Sequence, residues 1–368
     1  MEILNFEFTA SHSPDKSALV GCVGSGDLEI LMEPSRSGKT TIQVMTSVDG
    51  SEQRWKNLFE RIFLESNTPA VHIDIHDFGA TPGVVRLRLE QAFEEQSFIE
   101  LDARERAKSL IDQGSFKELL DPFSRMMSPW LPKQNIVPQA DDGVVVIKGT
   151  IQQKPVVVIS IEGMFQGGSL GEVGGAKIAG ALELAIEDNQ NNIPTTAILL
   201  LETGGVRLQE ANLGLAAIAE IQSAIVELRQ YQPVIGVVAG SVGCFGGMSI
   251  AAGLCSYLII TQEGRLGLNG PQVIEQEAGS NEYNAKDRPF IWSITGGEQR
   301  FASGLVDAFV EDDREQIKQQ IIGFIAQGIP AVQRSTQAEF YLSKLTHVDT
   351  SQQISPTEVQ ELYRGEKA

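Results

Sequence analysis

The sequence predicts an α/β protein in two parts: a small α+β unit over residues 1–96, and a larger domain over 141–345 built from stacked ββα or βαβ units. Three observations carry this. Short β-branched runs at Val144–Ile147, Val156–Ile161, Ala197–Leu201, Val234–Val238 and Leu258–Ile260 alternate with glycine turns and helical patterns. Most of the 36 glycines fall in that half, concentrated between about Asp141 and Asp313. Composition also changes near Glu94–Gln113, where the texture of the first hundred residues ends.

Within the first unit, Leu28–Met32 and Thr41–Met45 have strand character, and Val71–Ile75 alternates with period two. Gln53–Leu64 places Trp55, Leu58, Phe59 and Ile62 at helical spacing. After the Pro82-Gly83 turn, Val84, Leu87 and Leu89 predict a further strand. Phe98–Leu120 reads as a charged amphipathic helix ending in the proline-broken stretch Pro122–Pro132, so 97–140 is expected to be a helical linker or wrap-around arm. Gln316–Phe324 and Thr336–Leu345 read as closing helices, and 346–368 as a polar tail.

Composition narrows the function classes. Hydrophobic and charged contents of 42% and 21% are those of an ordinary globular protein. A net charge of −19 opposes non-specific nucleic-acid binding, since nothing offsets phosphate repulsion on average. No apolar run approaches the ~18–20 residues that span a bilayer. The N-terminal MEILNFEF is acidic where a secretory signal would be basic, so a cytoplasmic location is expected. Cys22, Cys244 and Cys255 lack CxxC spacing, so neither a disulfide framework nor a zinc ribbon is legible, and reduced core cysteines are expected.

Three glycine clusters each follow a strand-like run: Gly167–Lys177, Thr203–Glu210 and Gly240–Met248. Glycine allows backbone to approach a ligand closely. A turn that opens a helix there presents free N–H groups, which favour developing negative charge. Two such N–H groups from separate strand ends can form an oxyanion hole. Among nearby side chains, Glu172, Glu202, Glu210 and Glu275 are acid/base candidates or simple helix caps. Arg207 and Lys177 could hold a substrate carboxylate or carrier phosphates, whereas Arg265 suits a surface or interface equally well. The histidines (His12, His72, His76 and His347) all lie outside the glycine-rich domain, so no Ser–His–Asp arrangement is legible. Ser35–Thr40 imitates the end of a P-loop, but Glu33 stands where its first glycine belongs. His72, Asp74 and His76 share one strand face, read as solvated because no fourth metal ligand is near.

Together the segments GGSLGEVGGAKI, LLLETGGVRLQEANLG, PVIGVVAGSVGCFGGMSIAAG and LGLNGPQVIEQEAG resemble the N-terminal half of the carboxyltransferase family, a crotonase-like fold, and within it the beta subunit of biotin-independent malonate decarboxylases. The resemblance implies that the backbone amides of Gly204, Gly205, Gly246 and Gly247 hold a thioester carbonyl, with a gamma subunit completing the site and neither biotin nor metal required. GSGDLEILMEP, TSVDGSEQRWKNLFERI and IHDFGATPGVVRLRLEQAFEE resemble the acyl-carrier (delta) subunit of the same enzymes. That likeness implies a 2'-(5''-phosphoribosyl)-3'-dephospho-CoA arm on Ser25, attached by an alpha subunit that acts as acyl-carrier transferase, and a malonyl thioester decarboxylated to an acetyl thioester. The rivals are the carboxyltransferase subunit of a biotin-dependent carboxylase and a non-catalytic acyl-thioester carrier or scaffold.

Overall fold

The computed structural model describes residues 2–10, 17–22, 24–35, 37–63, 69–93, 97–346, 348–349 and 354–363. His12, Val23, Arg36, Leu64, Glu94–Gln96, His347 and residues 350–353 and 364–368 of the polar tail lie outside them. Contacts divide the chain into two units, Met1–Gln96 and Ser97–Ala368.

The first unit is a five-stranded sheet of β1 (Glu2–Thr9), β2 (Ala18–Gly21), β3 (Leu28–Pro34), β4 (Lys39–Thr46) and β5 (Val71–Asp77), in the order β1-β4-β5-β3-β2. Only β4 and β5 pair in parallel. Helix α1 (Glu52–Phe63) buries Trp55, Phe59 and Phe63, a single i, i+4, i+8 stripe. The strand expected after Pro82 is instead α2 (Pro82–Phe93), which buries Val85, Leu89 and Ala92. Proline at the first helical position starts it, and an Arg86–Glu90 pair one turn apart supports its outer face. Alternate residues of β5 are core, while His72 and Asp74 lie on the partly solvated face, His72 bonded to Thr41 Oγ1 at 2.8 Å. Among the described residues no group of three or more potential ligands could hold a metal.

In the second unit seven strands form one sheet: β6 (Lys117–Leu119), β7 (Val144–Ile151), β8 (Lys154–Ile161), β9 (Thr196–Leu200), β10 (Val234–Val238), β11 (Tyr257–Thr261) and β12 (Ala308–Val310), ordered β12-β11-β10-β9-β8-β7-β6. From β8 to β12 all pairings are parallel. The helices are α3 (Ala103–Leu110), α4 (Glu172–Gln190), α5 (Asn212–Leu228), α6 (Gly247–Leu254), α7 (Pro271–Ala278), α8 (Arg288–Thr295), α9 (Gly297–Ala302), α10 (Arg314–Gln327), α11 (Ala338–Leu345) and α12 (Pro356–Tyr363). One face of the sheet packs on α4, α5 and α6, the other on α3 and α10. Strands covered on both faces must be apolar throughout, which is why every residue of β9, β10 and β11 is buried.

Two expectations are corrected here. Residues 97–140 are no linker: Phe98, Leu101, Ala107 and Leu110 are core, and Lys117–Leu119 adds a strand to the sheet edge. Arg104 holds this segment by bonding Glu118 and Asp141, and the buried Arg106 pairs with Glu202. The polar tail likewise contains a docked helix, with Gln299 Nε2 bonded to Pro356 O at 2.9 Å and Gln360 Nε2 to Gln299 Oε1 at 2.6 Å. Of the three cysteines only Cys244 and Cys255 are core; Cys22 is exposed. No described helix is long and apolar enough to cross a membrane.

Candidate active site

Because β8 to β11 run in parallel, the loops that follow them leave the same edge of the sheet, and each opens a helix or a helical turn. Beyond the sheet these loops pair again, through bridges Leu170–Val206, Thr203–Cys244 and Cys244–Leu266. Leu170 N donates to Gly205 O (2.8 Å), Arg207 N to Leu170 O (2.8 Å), and Phe245 N to Thr203 O (2.9 Å). The second and third glycine loops then touch backbone to backbone. A β-carbon on Gly205 would sit 3.0 Å from both Gly246 Cα and Phe245 O, and φ is +101° at Gly205 and +61° at Gly246. Only glycine at both positions permits that approach.

The four glycines singled out by sequence are thereby brought together, but their amides are not equivalent. Gly204 N donates to Gly167 O (2.9 Å), Gly205 N to Thr203 Oγ1 (3.0 Å) and Gly246 N to Leu268 O (2.7 Å), so these three are already engaged. The N–H of Gly247, at the first position of α6, has no acceptor among the described residues, and neither has that of Val206. Sequence reasoning passed over Val206. Its flanking Gly205 O and Arg207 N both bond Leu170, which turns its own amide the other way, to 3.8 Å from where a side chain on Gly246 would begin. A cleft of about 510 Å³ opens here, lined by Gln166, Gly204, Val206, Phe245, Arg265 and Pro271 among others. That is a normal size for a small-molecule site. Around it the large apolar side chains of Met164, Leu208, Leu268 and Val273 are exposed, the first two at 88% and 84%.

The charged candidates take other roles. Arg207 is fully buried, its guanidinium bonded to both oxygens of Asp142 (2.8 and 3.0 Å), to Glu210 Oε1 (3.1 Å) and to Ser169 O (2.9 Å). Removing one partner of such a buried pair costs about 3–5 kcal/mol. Burial raises the Asp142 pKa, and Arg207 opposes that rise. Lys177 is buried as well, its Nζ donating to the carbonyls of Leu120, Asp141 and Val144 while burial lowers its pKa. Neither cation can reach a substrate carboxylate. Each acidic candidate also has a partner: Glu202 with Arg106, Glu210 with Arg207, Glu172 with Trp130 Nε1 (2.6 Å) and Glu275 with Ala285 N (2.6 Å). Arg265 does border the cleft, where it donates to Ser241 O (2.6 Å) and lies over the Trp292 ring at 4.5 Å.

The first glycine cluster proves to be a buttress. Glu172 N and Gly174 N, in the first turn of α4, donate to Glu210 Oε2 and Asp142 Oδ2, each at 2.7 Å. The positive end of α4 is therefore occupied by the chain's own carboxylates. Among the described residues no carboxylate bonds the first turn of α6, or that of α7, whose Gly270, Pro271 and Gln272 line the cleft.

In the first unit, Ser25 is exposed in the turn between β2 and β3. Asp27 N closes the turn on Gly24 O at 3.0 Å, with Gly26 at φ +81° in its third position. Asp27 makes no Asx turn. Arg88 of α2 forks onto its carboxylate (3.1 and 2.6 Å), and this bond holds the Asp27 pKa well below the usual carboxylate range. The turn is thus fixed from beneath while the Ser25 hydroxyl faces outward.

Comparison with known proteins agrees with this division. Residues 15–96 match the malonate decarboxylase delta subunit (MdcD), and residues 89–364, most of the chain, match the carboxyl transferase domain. This chain belongs to the carboxyl transferase family. It is 42% identical over 221 residues to the malonyl-S-ACP:biotin-protein carboxyltransferase MADC of Malonomonas rubra, covering 57% of this chain and 70% of that protein. Over 95 residues it is 70% identical to the malonate decarboxylase acyl carrier protein of Pseudomonas fluorescens, 26% of this chain and 96% of the relative. A subunit of a Pseudomonas malonate decarboxylase hetero-tetramer crystallised with malonate shares 64% identity, covers 75% of this chain and all of its own, and superposes with a TM-score of 0.73. A carrier-type unit and a carboxyltransferase domain of crotonase type therefore occur in one polypeptide.

Proposed function

We propose that this chain is the fused carrier and catalytic component of a malonate decarboxylase, which converts a malonyl thioester into an acetyl thioester and carbon dioxide. The observation that carries the reading is the pair of loops in backbone contact at the carboxyl edge of the parallel strands, where the Val206 amide, on the cleft lining, and the Gly247 amide, at the start of α6, have no acceptor among the described residues. When the C–CO₂ bond breaks, its electron pair moves into the adjacent thioester and negative charge collects on the carbonyl oxygen. Two N–H donors meet that charge, one of them at a helix start whose dipole adds to the field. Losing one such donor costs roughly 10²–10³-fold in rate. A proton then reaches carbon and the acetyl thioester is complete. Gly204, Gly205 and Gly246 serve as the framework of this hole and Gly247 as one of its donors.

Ser25 suits the attachment of a phosphoribosyl-dephospho-CoA arm: it is exposed in a turn that Arg88 holds in place through Asp27. The arm would supply the thiol that carries the acyl group. Tethering the substrate in this way makes a strongly basic docking surface unnecessary, in keeping with a net charge of −19. The exposed Met164, Leu208, Leu268 and Val273 form an apolar rim of the sort a partner covers. We assign it to a gamma-type carboxyltransferase subunit, and the loading of Ser25 to an alpha-type transferase, in a cytoplasmic complex. Peptide mass mapping of the active complex tests this. Ser25 should carry the arm; an active complex with unmodified Ser25 contradicts the reading.

A second reading, carboxyl transfer to a biotin protein, is favoured by the Malonomonas rubra relative. Avidin distinguishes the two: decarboxylation should survive it, and inhibition by avidin would select the second.

A further inference from the structure

Arg207 has the appearance of a substrate-binding cation in the sequence, yet it is 0% exposed. Its contacts define a different task. The residue sits one position beyond Val206, on the loop whose amide faces the cleft. Its guanidinium ties that loop to Ser169 O of the first loop and to Asp142 at the foot of β7. Asp142 and Glu210 in turn each accept an N–H from the first turn of α4. Ser128 Oγ adds a further bond to Glu210 at 2.6 Å. Two buried carboxylates are thus balanced by one guanidinium and one helix start. No room remains for adjustment: a β-carbon on Gly171 would lie 2.3 Å from Glu210 Oε2, and one on Gly214 2.7 Å from Leu170 O.

Resting on the function proposed above, we infer that Arg207 is a positioning residue for the oxyanion donors: it fixes the direction of the Val206 amide without touching substrate. Only a planar fork can reach Asp142, Glu210 and Ser169 O together, so lysine, although it keeps the charge, cannot replace it. The effect belongs to the transition state, because the amide must meet charge that develops during reaction, whereas thioester binding draws on the rest of the cleft.

The test uses the full chain in complex with its partner subunit. Arg207→Lys should lower kcat by roughly 10²-fold, the loss expected when reacting groups are misplaced by about 1 Å. KM for malonyl-pantetheine should stay within about twofold of wild type, the pattern of an interaction far stronger in the transition state than with the bound thioester. A spectroscopic readout separates positioning from a merely structural role. The infrared carbonyl stretch of bound, carbonyl-labelled S-acetyl-pantetheine should be lowered in wild type and return toward its free value in the variant. If Arg207→Lys does not fold, Glu210→Gln replaces it, with the same split and the same return of the carbonyl stretch. Unchanged kcat, or a rise in KM at constant kcat, overturns the inference. A bulky residue at Gly247 keeps the two proposals apart. If Gly247→Val abolishes turnover while the Arg207 variant keeps it, the positioning role alone fails; if both keep it, the proposed function fails.

Discussion

Replacing Gly205 by alanine probes the contact on which the proposed site depends. The new β-carbon would meet Gly246 Cα and Phe245 O at 3.0 Å, and both are backbone atoms that cannot swing aside. Ordinary contact needs about 3.5 Å, so the second and third loops must part by about half an ångström. Gly205 also holds φ at +101°, where a side chain adds a strain of about 1–3 kcal/mol. A displacement of 1 Å costs about 10²-fold in rate, so half of that predicts roughly tenfold. The melting temperature of the catalytic unit should fall by several degrees, at roughly 2–4 °C per kcal/mol. Single-turnover release of carbon dioxide from malonyl-loaded complex measures the rate, and peptide mass confirms that Ser25 is loaded equally in both proteins. Wild-type turnover and melting in Gly205→Ala would refute the reasoning, for then the two loops do not define the donors.

Other glycines should behave differently. Gly180 lies within α4, where a β-carbon meets nothing within 4 Å. Gly180→Ala should stabilise the chain by about 0.5–1 kcal/mol in denaturant titration and leave turnover unchanged. In the carrier unit the Arg88–Asp27 bond places the Asp27 pKa below its unfolded value. Its contribution is therefore complete above the ordinary carboxylate pKa of ~4 and is lost as pH falls through the depressed value. Exchange protection of the Asp27 amide, which closes the Ser25 turn, should fail only in strong acid, and Arg88→Gln should move that failure upward to about pH 4.

Much of this architecture was legible because apolar period and glycine placement report local geometry directly. Strands buried on both faces are continuous apolar runs, and loops crossing in backbone contact are glycine-rich. Features that depend on distant partners were not legible. Val84, Leu87 and Leu89 suggested a strand, but Leu87 is 51% exposed and the helix instead buries Val85, Leu89 and Ala92. The segment 97–140 looked like a charged arm, since the partners that neutralise Arg104 and Arg106 are Glu118, Asp141 and Glu202, the last of them 96 positions along the chain. Arg207 looked like a ligand for an anion because nothing local marks a cation as buried. The amide of Val206 was overlooked for a related reason: which N–H remains free follows from the pairing of loops, and a glycine count says nothing about that.

The most direct measurement follows the carboxyl carbon through one turnover. The Ser25 arm is loaded with malonyl labelled at its free carboxylate, in the complete complex, with avidin present and then absent. This account predicts that the label leaves as carbon dioxide at equal rates in both, that the Ser25 peptide retains an acetyl group, and that Gly247→Val slows the release roughly 10²-fold or more. Label that stays on the Ser25 peptide, leaves only without avidin, or leaves at the wild-type rate from the Gly247 variant would contradict it.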